Sequence, residues 1–141
     1  MDRGTIWRVW LPLAGGLFAL GAIFQSRHVS HGPARWIGLL LGLIGLAGVI
    51  LARYTLGRSF SVTAKATALV TTGIYSRIRN PIYVSGMIFV LGAVLIMGRP
   101  EGLAFLLVVI PMQIIRARRE AAVLEANFGD AYREYRKRTW F

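Results

Sequence analysis

Apolar and polar residues fall in long blocks along this chain, not at the short period of a surface helix or a half-buried strand. Four apolar blocks stand out, at residues 6–24, 36–52, 81–98 and 102–115. The second and third carry no charge, and the first carries only Arg8, near one end. A membrane-crossing helix needs about 20 residues, with a range of about 17–25. The first three blocks meet that length. The fourth meets it only if Arg116, Arg118 and Arg119 snorkel at its end. Pro111 is expected to kink it, which a helix bundle tolerates. Arg99-Pro100-Glu101 is a tight connection, so the last two blocks should form an antiparallel hairpin. The pattern predicts an all-α polytopic membrane protein with four spans and a polar helix after them.

Composition sharpens this picture. The 141 residues are 55% hydrophobic yet carry a net charge of +11, and the mean hydropathy is +0.55. Both hold together if the apolar residues sit in lipid and the basic ones flank it. The first block is too long for a signal-peptide core and no small-residue cleavage pattern closes it. With four spans, Arg27, Arg35 and Arg99 fall on one side, leaving the other 14 of the 17 basic residues opposite. The positive-inside rule then places both termini in the cytoplasm, in an inner or cytoplasmic membrane. There is no cysteine, and His28 and His31 share one short loop. A cysteine-ligated metal or a thiolate nucleophile is excluded, and no metal site is expected.

Gly38, Gly42, Gly45 and Ala52 lie along one face of the second span. Small residues let helix backbones approach, so this face is read as close packing, with a homo-oligomer contact as its other use. The segment from Arg116 to Phe141 is polar and helix-prone. Leu124, Phe128, Ala131 or Tyr132, and Tyr135 recur at helical spacing as one apolar stripe. Gly129-Asp130 should break the helix, with Asp130 capping a second short one. Glu120 lies on the same face as Leu124, and an Arg116–Glu120 pair is available at i,i+4. The basic tail is juxtamembrane and lacks any recognition motif, so it suits anionic membrane lipids and not nucleic acid. Trp7, Trp10, Trp36 and Trp140 are expected to be interface anchors.

The densest polar chemistry lies at residues 72–86. Two arginines, an Asn-Pro step and two tyrosines meet the start of an uncharged span. Polar groups at that depth are costly and tend to mark a site.

These residues resemble a known family. Gly73-Ile74-Tyr75, then Arg79-Asn80-Pro81-Ile82-Tyr83, an apolar hairpin, and Glu120…Leu124…Phe128-Gly129…Tyr132…Tyr135 follow in family order. The family is that of the integral-membrane methyltransferases which include isoprenylcysteine carboxyl methyltransferase and phospholipid N-methyltransferase. The likeness covers about residues 69–136. Three positions depart from the family pattern. Asn80 stands where His is frequent, the glycine after Tyr83 comes one residue later at Gly86, and Ala121 replaces the second of two glutamates.

The resemblance implies one membrane domain over residues 1–141, with a cofactor-binding half at about 69–141. It implies S-adenosylmethionine as methyl donor and a lipophilic acceptor, either an isoprenylcysteine-type carboxylate or a phospholipid amine. The donor site it implies comprises Gly73, Tyr75, Arg79, Asn80, Pro81, Tyr83, Gly86, Arg116, Glu120, Leu124, Phe128 and Tyr132, with Arg79 and Glu120 nearest the chemistry. A catalytically silent member that binds lipid or a protein partner is the alternative.

The residue types suit such a donor. Arg79 or Arg116 offers a forked cation for its carboxylate, and Glu120 accepts from its ammonium or a ribose hydroxyl. Tyr75, Tyr83, Phe128 and Tyr132 offer walls for adenine or a face for the sulfonium, and Asn80 both donates and accepts. A carboxylate acceptor is nucleophilic at pH 7, whereas an amine must first lose a proton. Glu120, Glu125, Glu134 and the tyrosines are the candidate bases on that face. The balance leans mildly towards a carboxylate acceptor.

Overall fold

The computed structural model describes residues 11–25, 32–57, 69–98 and 101–141. Every element among them is helical: α1 (Leu11–Gln25), α2 (Pro33–Leu56), a 3-10 turn (Gly73–Ser76), α3 (Pro81–Met97) and α4 (Glu101–Arg138). These helices contain the second and fourth apolar blocks and most of the first and third. Residues 6–10, both histidines, Trp7, Trp10 and Arg99-Pro100 lie outside the described residues. By length and composition α2 is able to cross a membrane, while α1 and α3 are apolar but shorter.

Proline and glycine set the helix boundaries. Both α2 and α3 begin with proline, whose missing N–H and fixed φ suit a first helical turn. Both are followed by a glycine at positive φ, Gly57 at 52° and Gly98 at 61°. The Gly98 amide closes α3 by donating to the Val94 carbonyl at 3.0 Å.

The central contact is antiparallel and nearly free of side chains. Gly38, Gly45 and Gly48 of α2 face Ile96, Phe89 and Ser85 of α3, and Gly92 sits between Gly38 and Gly42. A Cβ added at Gly38 would lie 2.7 Å from the Gly92 carbonyl oxygen. The glycine face expected from the sequence is therefore spent within the chain. Beside this seam α2 takes α1, with Leu20 over Gly42 and Leu46 over Gly16. Residues Trp36, Ile37, Leu40, Leu43, Ile44 and Leu51 recur at helical spacing on α2 and stay exposed.

The hairpin of the last two blocks is also present, with Val94 of α3 against Gly102 of α4. Two local expectations change. The helix does not stop at Ile115 but runs on through the polar segment. Pro111 lies inside α4, where its ring removes one intrahelical hydrogen bond, yet its dihedrals stay helical. The break falls at Gly129 (φ 50°, ψ −121°), and Asp130 is already helical. The Asp130 carboxylate accepts from Arg133 at 3.2 Å instead of capping. Glu125 spans the bend, accepting from Arg133 Nε at 2.9 Å and facing Arg136 at 3.9 Å.

The dihedrals of Gly129 are costly for any residue with a Cβ, although the space around it is open. Gly129→Ala is expected to lower stability by about 1–2 kcal/mol through backbone strain alone. Thermal unfolding followed by circular dichroism checks this, and an unchanged midpoint would show that the bend relaxes freely.

Candidate functional site

The two halves of the sequence motif meet where α3 begins. Tyr83 lies in the first turn of α3, and its hydroxyl donates a short hydrogen bond to Glu120 Oε1 on α4. Arg116, one turn before Glu120, places Nε 3.7 Å from the same oxygen. Its guanidinium carbon lies 6.0 Å from the centre of the Tyr83 ring. A carboxylate, a guanidinium and an aromatic face thus form one cluster, although 37 residues separate Tyr83 from Glu120. Its members are only partly buried, so the cluster is open to a ligand.

A second group lies beside the first. Tyr75, in the 3-10 turn, is buried, and its carbonyl accepts from the Tyr135 hydroxyl at 2.7 Å. Tyr132 and Tyr135 are buried with ring centres 6.2 Å apart. Arg79 acts electrostatically on both and donates to the Arg136 carbonyl at 3.4 Å. Tyr75 is bonded to Tyr135 through its carbonyl, and its hydroxyl feels the charge of Glu120.

Burial pushes the hydroxyls of Tyr75, Tyr132 and Tyr135 above the usual tyrosine range. For Tyr75 the neighbouring Tyr135 and Glu120 add to that shift. These three are hydrogen-bond donors at neutral pH, which removes them from the candidate bases. Glu125 is held by Arg133 and Arg136, and Glu134 lies at the surface beside Lys137 and Arg138. Glu120 is the carboxylate that reaches the cluster.

Other expected site residues have local structural jobs. Gly73 has φ 58° and lies against Thr55 of α2, where a Cβ would meet Thr55 Cγ2 at 2.9 Å. It joins the 3-10 turn to the end of α2. Pro81 is fully buried at the start of α3. Asn80 precedes it as N-cap residue, using its carbonyl and not its side chain, and accepts from the Tyr83 and Val84 amides at 3.1 Å each. Leu124 and Phe128 are half-buried on α4. Gly86 faces open space.

The displaced glycine after Tyr83 now has a physical reading. Ser85, at the position where the family pattern has glycine, is the buried small residue against Gly48. Sequence reasoning also missed the docking of Trp140 and Phe141 on residues 77–80, a parallel bridge pairing Ile78 with Trp140. Only main-chain groups make that contact, so no residue type signals it.

The fold and cluster define a class, small helical proteins whose polar site caps an apolar helix bundle. Residues 33–131 match the model of the family described as Phospholipid methyltransferase, and the chain belongs to that family. Over 88 residues it is 40% identical to the Protein-S-isoprenylcysteine O-methyltransferase of Schizosaccharomyces pombe, a match covering 58% of this chain and 37% of that protein. The chain therefore spans well under half the length of that relative.

Proposed function

We propose that this chain transfers a methyl group from S-adenosylmethionine to a carboxylate on a lipophilic, membrane-held acceptor. The observation that carries this reading is the Tyr83–Glu120–Arg116 cluster. It unites in space the two motif halves whose order resembles the membrane methyltransferases. Family membership and the likeness to an isoprenylcysteine O-methyltransferase support the same reaction class.

The residues fit such a donor. Its amino-acid head is a zwitterion, and the cluster pairs a carboxylate with a guanidinium at one partly exposed place. Glu120 would hold the ammonium, Arg116 or Arg79 the carboxylate, and Tyr83 with Phe128 would wall the rest. Asn80 stands beside Arg79 at the same helix start. Bound there, the donor supplies an electrophilic methyl group whose bond to sulfur breaks as the bond to the acceptor forms. The protein aligns and keeps water out, effects that reach about 7–11 kcal/mol in favourable cases. Glu120 already accepts from Tyr83 and faces Arg116, so it serves as a holder and not a base. That matches a carboxylate acceptor, which needs none.

The exposed apolar face of α2 and the short apolar helices α1 and α3 support a bilayer setting. We assign four spans, counting residues 102–115 of α4, with both termini and the polar half of α4 on the cytoplasmic side. All of residues 1–141 then form one domain, whose donor half begins near residue 69.

Titration calorimetry of S-adenosylhomocysteine into the purified protein, with lipid restored, tests donor binding. Saturable binding is expected. Labelled S-adenosylmethionine is then offered with an N-acylated S-prenyl cysteine or with phosphatidylethanolamine vesicles. Base-labile label, released as methanol, marks a methyl ester, whereas base-stable label in the phospholipid would replace the carboxylate by an amine. Folded protein that binds no S-adenosylhomocysteine would sink the reading.

A further inference from the structure

The nine residues from Thr72 to Asn80 contain the 3-10 turn and lead into α3. Their own hydrogen bonds cover only the first part: the Thr72 carbonyl accepts from Tyr75, and the Ile74 carbonyl from Arg77 and Ile78. The last part is held by the α3 cap at the Asn80 carbonyl and, at its amides, from outside. The Trp140 amide donates to the Arg77 carbonyl at 2.8 Å. The Arg79 amide donates to the Trp140 oxygen and the Asn80 amide to a Phe141 oxygen, each at 3.0 Å. The Tyr135 hydroxyl ties the Tyr75 carbonyl from the same side. A backbone left without such partners is free to sample other dihedrals. The conformation of Arg79 and Asn80 therefore depends on a segment 60 residues away.

We infer that residues 135–141 form a positioning strap, in which Tyr135, Trp140 and Phe141 hold Arg79 and Asn80 in the donor-binding conformation. This rests on the methyltransferase reading above. Tyr135, Trp140 and Phe141 bond main-chain groups of residues 75–80, the Arg136 carbonyl takes the Arg79 guanidinium, and none of the four is catalytic. Trp140 and Phe141 lie outside both residues 33–131, which match the family model, and the motif that ends at Tyr135. The short helix bearing Tyr135 follows the Gly129 bend and is fixed by Glu125, which makes the strap a separate piece docked on the site.

The test uses the full chain with three variants, Trp140→Pro, Trp140→Phe and Tyr135→Phe. Proline deletes the N–H that bonds Arg77, whereas phenylalanine at 140 retains it. Two readouts are taken: hydrogen exchange at the Arg79 and Asn80 amides, and affinity for S-adenosylhomocysteine. One net hydrogen bond corresponds to roughly 3–10-fold in an equilibrium. Trp140→Pro is expected to speed exchange at both amides about tenfold and to weaken the ligand by a similar factor. Tyr135→Phe should shift both the same way by about threefold, and Trp140→Phe should match the parent. In turnover the donor KM rises while kcat holds. If Trp140→Pro does not fold, Tyr135→Phe decides, since it removes one hydroxyl. Folded variants that exchange and bind like a parent that does bind overturn the strap alone. A parent that binds no S-adenosylhomocysteine overturns the methyltransferase reading, and the strap's donor role with it.

Discussion

Gly92→Leu is expected to separate α2 from α3 and to cost more stability than any other single change considered. A Cβ at residue 92 would meet the Gly42 amide nitrogen, the Gly38 oxygen at 2.6 Å and Gly42 Cα at 2.8 Å. All are main chain, so no rotamer change relieves the clash and whole helices must move apart. Overpacking usually costs about 1–3 kcal/mol, and a clash with backbone belongs at or above the top of that range. For a chain of this size that corresponds to a drop of roughly 6–12 °C in Tm. Gly86→Ala is the matched control in the same helix. A Cβ there meets nothing within 4 Å, so the loss of backbone freedom in the unfolded chain dominates, and stability should rise by about 0.5–1 kcal/mol. Thermal unfolding of both in one detergent decides the matter. Equal midpoints would mean that the glycine seam does not hold the bundle.

The second large effect concerns binding. Glu120→Ala should weaken S-adenosylhomocysteine about 100-fold or more, because three interactions go together. The Tyr83 hydroxyl loses its acceptor, Arg116 loses its carboxylate, and the ligand ammonium loses its partner. A hydrogen bond to a charged group is worth about 1.5–3 kcal/mol, or roughly 10–150-fold. Glu120→Gln keeps an acceptor for Tyr83 but not the charge, so it should cost roughly tenfold, and Tyr83→Phe a similar factor. Combined, Tyr83→Phe and Glu120→Gln should fall short of additivity, since each disables the same contact. Calorimetry on samples with matched circular dichroism gives all four numbers. Binding by Glu120→Ala within threefold of the parent removes Glu120 from the site.

Much of this arrangement is legible in the residues. The glycine face of α2 is visible because helix spacing and side-chain absence both survive in one dimension, and the structure places that face on α3. Tyr83, Arg116 and Glu120 are visible as polar groups at the ends of apolar blocks, and the Arg116–Glu120 pair follows from i,i+4 spacing. Other features depend on what lies opposite. Ser85 replaces Gly86 as the packed small residue only because Gly48 faces it. Burial, which no local pattern measures, keeps the Tyr75 and Tyr135 hydroxyls protonated and removes them from the candidate bases. Tyr132 and not Ala131 continues the stripe, since Tyr132 is the buried one and lies four residues after Phe128.

The unbroken stretch of α4 from Gly102 to Glu120 acts as a ruler. At 1.5 Å per residue it sets Glu120 roughly 27 Å along the helix axis from the Val94 contact. Distance and azimuth are then one variable, since adding one residue turns everything beyond it by about 100°. Length variation within this stretch would swing the carboxylate off Tyr83, whereas the same insertion next to Gly129 falls where the helix is already interrupted. Changes in chain length along the rod should therefore act on Glu120, whereas those at the bend would act on Tyr132, Tyr135 and the strap.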